Sequence, residues 1–131
     1  MTQTGIILHS CKFAELSGNL VQSEAVQLSG TSVICAEGNR FLSAPVSLMD
    51  EAGANLQKNL FRGAQTAVTL KEASCGVRME QNAFETCEVA VKAQLGGEIF
   101  SKNNWIAKCQ KGFVAGGMLR GYFKENYMLC E

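Results

Sequence analysis

The chain has 131 residues, nearly half of them apolar, and its twelve basic residues are balanced by twelve acidic ones. A chain of this length and composition can bury one continuous core, so we expect residues 1–131 to form a single compact domain. The zero net charge and the lack of any run of like charge argue against a nucleic-acid partner. The apolar runs are far shorter than the roughly 20 residues that a membrane-spanning helix needs, so no membrane span is predicted.

The first half of the chain has the pattern of short β-strands. The segment from Leu20 to Leu28 lies between two glycine-centred turns, LSGN and LSGT, an arrangement typical of a meander. Further on, Leu42, Val46 and Leu48 fall on one side of an alternating stretch. These patterns predict an antiparallel β-sheet built mainly from residues 4–80.

A helix is predicted over residues 48–62. Ser47 can cap its first turn, with Asp50 three residues later, and Gly63 follows as a left-handed stop. Between them, apolar residues recur at helical spacing. They are Met49, Ala52, Leu56 and Leu60.

Two later segments leave the choice between helix and strand open. Residues 82–95 fit both periods, and the capping pair Asn82 and Glu85 together with the alanines favours a helix over residues 83–95. A last helix is predicted over residues 102–115. The predicted fold class is therefore α+β, with the antiparallel sheet, which the C-terminus can close, packed against one to three helices.

The segment KGFVAGGMLRGYFKENY, residues 111–127, resembles a phosphate-binding loop only in its glycine spacing. Met118 and Leu119 stand where a P-loop needs a lysine and a hydroxyl, so phosphate binding is not predicted. One remaining interpretation is a continuous helix whose Gly112 and Gly116 admit a close neighbour. Because four glycines would cost such a helix roughly 3–4 kcal/mol, we favour a Gly-Gly turn that leads into closing strands.

Six cysteines are an unusually large and even number for a chain of this length. They favour three disulfides and an extracellular, cell-surface or virion-surface location, although buried free thiols and a cytoplasmic location remain open. The candidate disulfide cysteines are Cys11, Cys35, Cys75, Cys87, Cys109 and Cys130.

The sequence contains little that indicates catalysis. His9 is the only histidine, and no C-x-x-C pair occurs, so neither a cofactor nor a metal site is predicted and the protein is not expected to be an enzyme. We expect a non-catalytic structural or protein-binding module, such as a subunit of a larger extracellular or viral assembly or a secreted protein that captures another. Its partner would be a protein or a second copy, and the candidate interface residues are Gly112, Gly116, Tyr122 and Tyr127.

Two alternative functions remain open at this stage. The C-terminal aromatic residues could form a carbohydrate- or ligand-binding module, because exposed aromatic rings can stack on a sugar. A cysteine-dependent enzyme is the other alternative, although no local pattern singles out a nucleophile.

Overall fold

The structure is a computed structural model that describes residues 6–22 and 25–130. Every regular element within these ranges is a β-strand, and none is a helix. The strands follow one another in groups of three, and each group forms one rung of a parallel β-solenoid. Six rungs are stacked, so the chain makes about five turns between the first rung and the last.

The rungs have the following strands. Rung 1 contains β1 (Ile6–His9), β2 (Ala14–Ser17) and β3 (Leu20–Gln22). Rung 2 contains β4 (Val26–Ser29), β5 (Val33–Glu37) and β6 (Arg40–Leu42). Rung 3 contains β7 (Val46–Leu48), β8 (Gly53–Gln57) and β9 (Leu60–Arg62). Rung 4 contains β10 (Thr66–Leu70), β11 (Gly76–Glu80) and β12 (Ala83–Glu85). Rung 5 contains β13 (Val89–Ala93), β14 (Gly96–Lys102) and β15 (Trp105–Cys109). Rung 6 contains β16 (Lys111–Ala115), β17 (Met118–Lys124) and β18 (Tyr127–Cys130).

The first strands of all rungs pair into face A, the second strands into face B and the third strands into face C. Every pair is parallel and joins neighbouring rungs. Val26 pairs with Val46, Val46 with Val68 and Val68 with Val91, so the repeat is 20 residues early in the chain and 22 or 23 later. Each strand thus meets its partner only after a complete turn of the solenoid.

Alternate side chains of each face point into the solenoid and form columns along its axis. On face A one column is leucine over four rungs, Leu8, Leu28, Leu48 and Leu70, of which the last three are fully buried. On face C three phenylalanine rings occupy consecutive rungs, with their neighbours completing the column. This column is Val21, Phe41, Phe61, Phe84, Ile106 and Met128. The core is therefore one continuous apolar interior enclosed by three narrow sheets.

The predicted helix over residues 48–62 is wrong, because this segment contains the end of β7, all of β8 and β9. The strands here have three to five residues and are separated by short corners, and each corner shifts the alternation of inward and outward side chains. Because of these shifts, the apolar residues recur at a spacing close to that of a helix. Asp50 does cap backbone, but at a corner: it has a φ of 58°, and its Oδ2 accepts a hydrogen bond of 2.8 Å from the N–H of Gly30 one rung earlier.

The helices predicted over residues 83–95 and 102–115 are wrong as well, because β12 and β13 occupy the first and β15 and β16 the second. The alternating interpretation of residues 82–95 is the correct one. The Gly-Gly turn and the strands after it are correct, since Gly117 has a φ of 69° between β16 and β17, but these strands form the last rung of the solenoid and do not close an antiparallel sheet. The expected antiparallel sheet is wrong because the chain returns to each face by a full rung instead of a hairpin.

In the part of the chain that the structure describes, nothing forms a helix with the length and apolar character needed to cross a membrane.

Candidate binding surfaces

A ladder of six asparagines runs along the corner between faces B and C. Its members are Asn19, Asn39, Asn59, Asn82, Asn104 and Asn126. Each follows a residue with positive φ, which turns the chain from face B to face C. Glycine stands there only at Gly18 and Gly38, so in the other rungs a residue with a side chain adopts the left-handed conformation. We infer that the asparagine hydrogen bonds hold this corner in a strained backbone form.

The asparagines of the ladder repeat one pattern of hydrogen bonds from rung to rung. The backbone N–H of each asparagine donates to the Oδ1 of the asparagine in the next rung, at 2.8 to 3.1 Å. From the second rung onward, Nδ2 donates back to a backbone carbonyl of the previous rung, at 2.8 to 3.0 Å. The ladder therefore has a polarity along the solenoid axis.

The two ends of the ladder have complementary unmet groups. At the C-terminal end, no acceptor among the described residues meets the backbone N–H of Asn126. At the N-terminal end, no donor within the described chain reaches Asn19 Oδ1, and Asn19 Nδ2 turns to Ser17 O of its own rung. One end of the solenoid thus offers a donor where the other end offers an acceptor.

The C-terminal end of the solenoid exposes inward-facing apolar side chains. Phe123 continues the core column of Met79 and Ser101, yet it is 46% exposed because no rung of the described chain lies over it. Met128, at the end of the phenylalanine column, is 53% exposed. Residues at these positions of the columns are buried in rungs 2 to 5. The exposure of Phe123 and Met128 therefore shows that this end presents core side chains to solvent.

The same end has three open strand edges. Within the described residues, β16, β17 and β18 pair only with the preceding rung. Their outer backbone groups are therefore free to pair with further strands. We define the C-terminal end as these three strands together with Phe123 and Met128.

The predicted interface residues divide into two pairs. Tyr122 and Tyr127 lie on the C-terminal end, half exposed, and stack on Phe100 and Trp105 with centroids 4.8 and 4.3 Å apart. Each tyrosine is the last ring of its stack, because the described chain adds no rung beyond them.

Gly112 and Gly116 face the interior of this chain instead. A Cβ on Gly112 would lie 2.8 Å from Met128 Sδ, and one on Gly116 would lie 2.5 Å from Gln94 O in the corner of rung 5. The close approach that these glycines allow is thus within one chain, across the interior of rung 6 at Gly112 and between rungs 5 and 6 at Gly116. Phe123 and Met128 were not predicted as interface residues, since the sequence does not reveal which strand face points inward in the last rung.

A shallow depression of about 360 Å³ lies on face B, where Gly53 and Gly76 carry no side chain. Beside it, the Arg78 guanidinium lies 4.1 Å from the Phe100 ring centroid and forms a 3.0 Å ion pair with Glu80. The Oδ1 of Asn55 is buried at this depression and lacks a hydrogen-bond partner. The depression therefore offers one acceptor and a cation that is already neutralised.

His9 lies on face A of rung 1, where its Nδ1 is 2.7 Å from Ser29 Oγ. This exposed pair has the two components of a nucleophile and its base, whereas the carboxylate of Asp50 lies two rungs away and accepts from Gly30. The described residues contain no group of three or more histidine, cysteine, aspartate or glutamate side chains that could hold a metal ion.

The cysteines are dispersed over the solenoid. Cys11, Cys35, Cys75 and Cys87 form no disulfide in the structure. Burial raises the pKa of the Cys87 thiol to about 11, and the adjacent Cys109 contributes to the rise. Burial also raises the pKa of Cys75. Both thiols are protonated at neutral pH and are weak nucleophiles in the folded protein.

We expect iodoacetamide at pH 7.5 to modify Cys11 and Cys35 in the folded protein and to spare Cys75 and Cys87. The first two are partly accessible, whereas the other two are buried and protonated. Peptide mapping before and after unfolding measures this order. The same masses, with and without reduction, test the predicted disulfides, and equal labelling of all four thiols in the folded state would contradict the expectation.

No protein-family model, no curated protein and no solved structure matches this chain.

Proposed function

We propose that this protein is a non-catalytic structural module that assembles with protein through its C-terminal end. The observation that carries the proposal is the exposure of Phe123 and Met128, which continue core columns and would be buried by one additional rung. The open edges of β16, β17 and β18 supply backbone hydrogen bonds at the same surface. Apolar surface next to unpaired strand edges is the combination used when a partner adds strands to a sheet.

Solenoid physics supports this assignment. A repeat protein is stabilised by each rung burying the face of its neighbour, and a terminal rung normally needs a polar outer surface to stay soluble. Rung 6 lacks that surface at Phe123 and Met128. Burial of such side chains is worth roughly 1.5–3 kcal/mol each, which favours a protein partner at this end.

The two alternatives have less support from the geometry. The Phe100 ring has Arg78 against it and stacks with Tyr122, which leaves a sugar the outer faces of Tyr122 and Tyr127 on the same end that we propose to bind protein. A cysteine nucleophile needs a lowered pKa, whereas burial raises the pKa of Cys75 and Cys87.

We expect Phe123→Lys to abolish association that the native protein shows at micromolar concentration. The charge would have to be buried with the partner, which costs far more than the lost apolar contact alone. Sedimentation velocity over a hundredfold range of concentration measures the mass, and circular dichroism checks the fold.

The matched control is Met49→Lys, at an exposed apolar residue of a corner in rung 3, away from both ends. It should leave association unchanged. A native mass that stays at one chain over the whole range, or equal association of native protein and Phe123→Lys, would remove the proposed function.

A further inference from the structure

We infer that the partner of the C-terminal end is the N-terminal end of a second copy, so that solenoids stack head to tail in register. This inference rests on the proposed function and names its partner. In the stacked arrangement, β1, β2 and β3 of the next copy add a rung above β16, β17 and β18. Both ends consist of three strands of the same faces, and all pairing in the protein is parallel.

The polarity of the asparagine ladder carries the inference. Asn19 occupies the position that follows Asn126 when the register of rungs 1 to 6 is continued. In a head-to-tail stack, the backbone N–H of Asn126 meets the Oδ1 of Asn19 in the next copy, the acceptor that lacks a donor within the described chain. The Nδ2 of that Asn19 can then turn from Ser17 O to Phe123 O, as every other ladder Nδ2 does with the rung before it.

The core columns match across the same junction. Val21 of the next copy continues the column that ends at Met128, and Leu16 continues the column that ends at Phe123. Ile6 similarly follows Phe113 on face A. Phe123 and Met128, the exposed inward-facing side chains of the C-terminal end, thus each meet an apolar side chain of the N-terminal end.

Charge also fits this register. Glu15 of the next copy falls next to Tyr122 and between Arg120 and Lys124, which flank Tyr122 on the outer side of β17. Tail-to-tail contact that pairs the β17 edges of two C-terminal ends would instead bring Arg120 and Lys124 of both copies together. Stacking is therefore head to tail, a heterologous contact that does not close on itself and builds a linear array.

Cross-linking in register tests the inference. Ser17 and Lys124 belong to the same outer column of face B, so in the stack their Cα atoms lie about 4.8 Å apart, within the range for a disulfide. A mixture of the separate variants Ser17→Cys and Lys124→Cys is oxidised mildly, and the linked peptides are identified by mass spectrometry. The mismatched control mixes Ser17→Cys with Arg120→Cys, which is displaced by about 13 Å along the strand.

The expected result is a covalent 17-to-124 dimer at about tenfold the yield of the mismatched mixture, of either variant alone and of the native chain. Efficient dimers of Lys124→Cys alone indicate tail-to-tail contact and overturn the inference, as does a concentration-dependent mass with no 17-to-124 link. In both cases the proposed function survives if Phe123→Lys still abolishes association. A mass that stays at one chain overturns both.

Discussion

The variant Asn59→Ala is expected to lower the free energy of unfolding by about 3–5 kcal/mol. The Oδ1 of this fully enclosed side chain accepts from Asn39 N and Nδ2 at 2.9 and 3.1 Å. Its Nδ2 donates to Ala36 O and Asn82 Oδ1 at 2.9 and 3.0 Å. Alanine cannot replace any of these bonds, so buried donors of Asn39 and the carbonyl of Ala36 lose their partners. Urea unfolding followed by circular dichroism measures the loss.

The matched control is Asn19→Ala, at the exposed end of the same ladder. Its side chain donates to Asn39 Oδ1 and to Ser17 O near solvent, where water can replace the lost bonds, so we expect a cost of about 1 kcal/mol. A second effect should distinguish the two variants. Because each rung is stabilised mainly by its neighbours, a defect in rung 3 weakens the coupling between the two halves of the solenoid and should also broaden the unfolding transition. Equal costs for Asn59→Ala and Asn19→Ala would show that the ladder does not support the corner.

The repeat of the solenoid can be detected in the sequence by its long-range spacing, although the local patterns of strands and helices do not reveal it. The pairs Gly18-Asn19 and Gly38-Asn39 are 20 residues apart, and Asn59 follows at the same interval. A search for internal repeats would find this spacing. The signal then weakens, because Lys58 replaces glycine before Asn59 and later repeats lengthen to 22 or 23 residues.

The direction of strand pairing could not be predicted from the same patterns. The alternation of Val46 and Leu48 is visible in the sequence, but a short apolar strand has the same pattern in a hairpin and in a solenoid. What decides between them is contact between residues a full rung apart, which local periodicity does not contain. The helical spacing in residues 48–62 was misleading for the related reason that it spans two corners.

The sequence points to part of the surface that we propose as an interface. The density of aromatic residues in the last quarter of the chain pointed to Tyr122 and Tyr127, and both lie on the C-terminal end. Phe123 and Met128 could be identified only from their columns. Their side chains are known to point inward only once their pairing with the preceding rung is known. The residues of this surface can thus be identified only when the repeat is known, and local patterns do not reveal the repeat.

The variant Phe61→Ala is expected to lower the free energy of unfolding by about 3–5 kcal/mol. The ring is fully buried and lies between Phe41 and Phe84, with centroid separations of 4.8 and 4.9 Å. Alanine leaves a cavity that the solenoid cannot close, because the rungs above and below are fixed at the hydrogen-bonding distance of the sheets. Phe61→Leu keeps most of the volume and should cost about 1.5 kcal/mol.

The matched surface control is Tyr127→Ala, whose half-exposed ring stacks only on Trp105 and whose loss should cost at most about 1.5 kcal/mol. Urea unfolding of the three variants at one protein concentration gives the order, and a Phe61→Ala cost no larger than that of Tyr127→Ala would contradict a close-packed phenylalanine column.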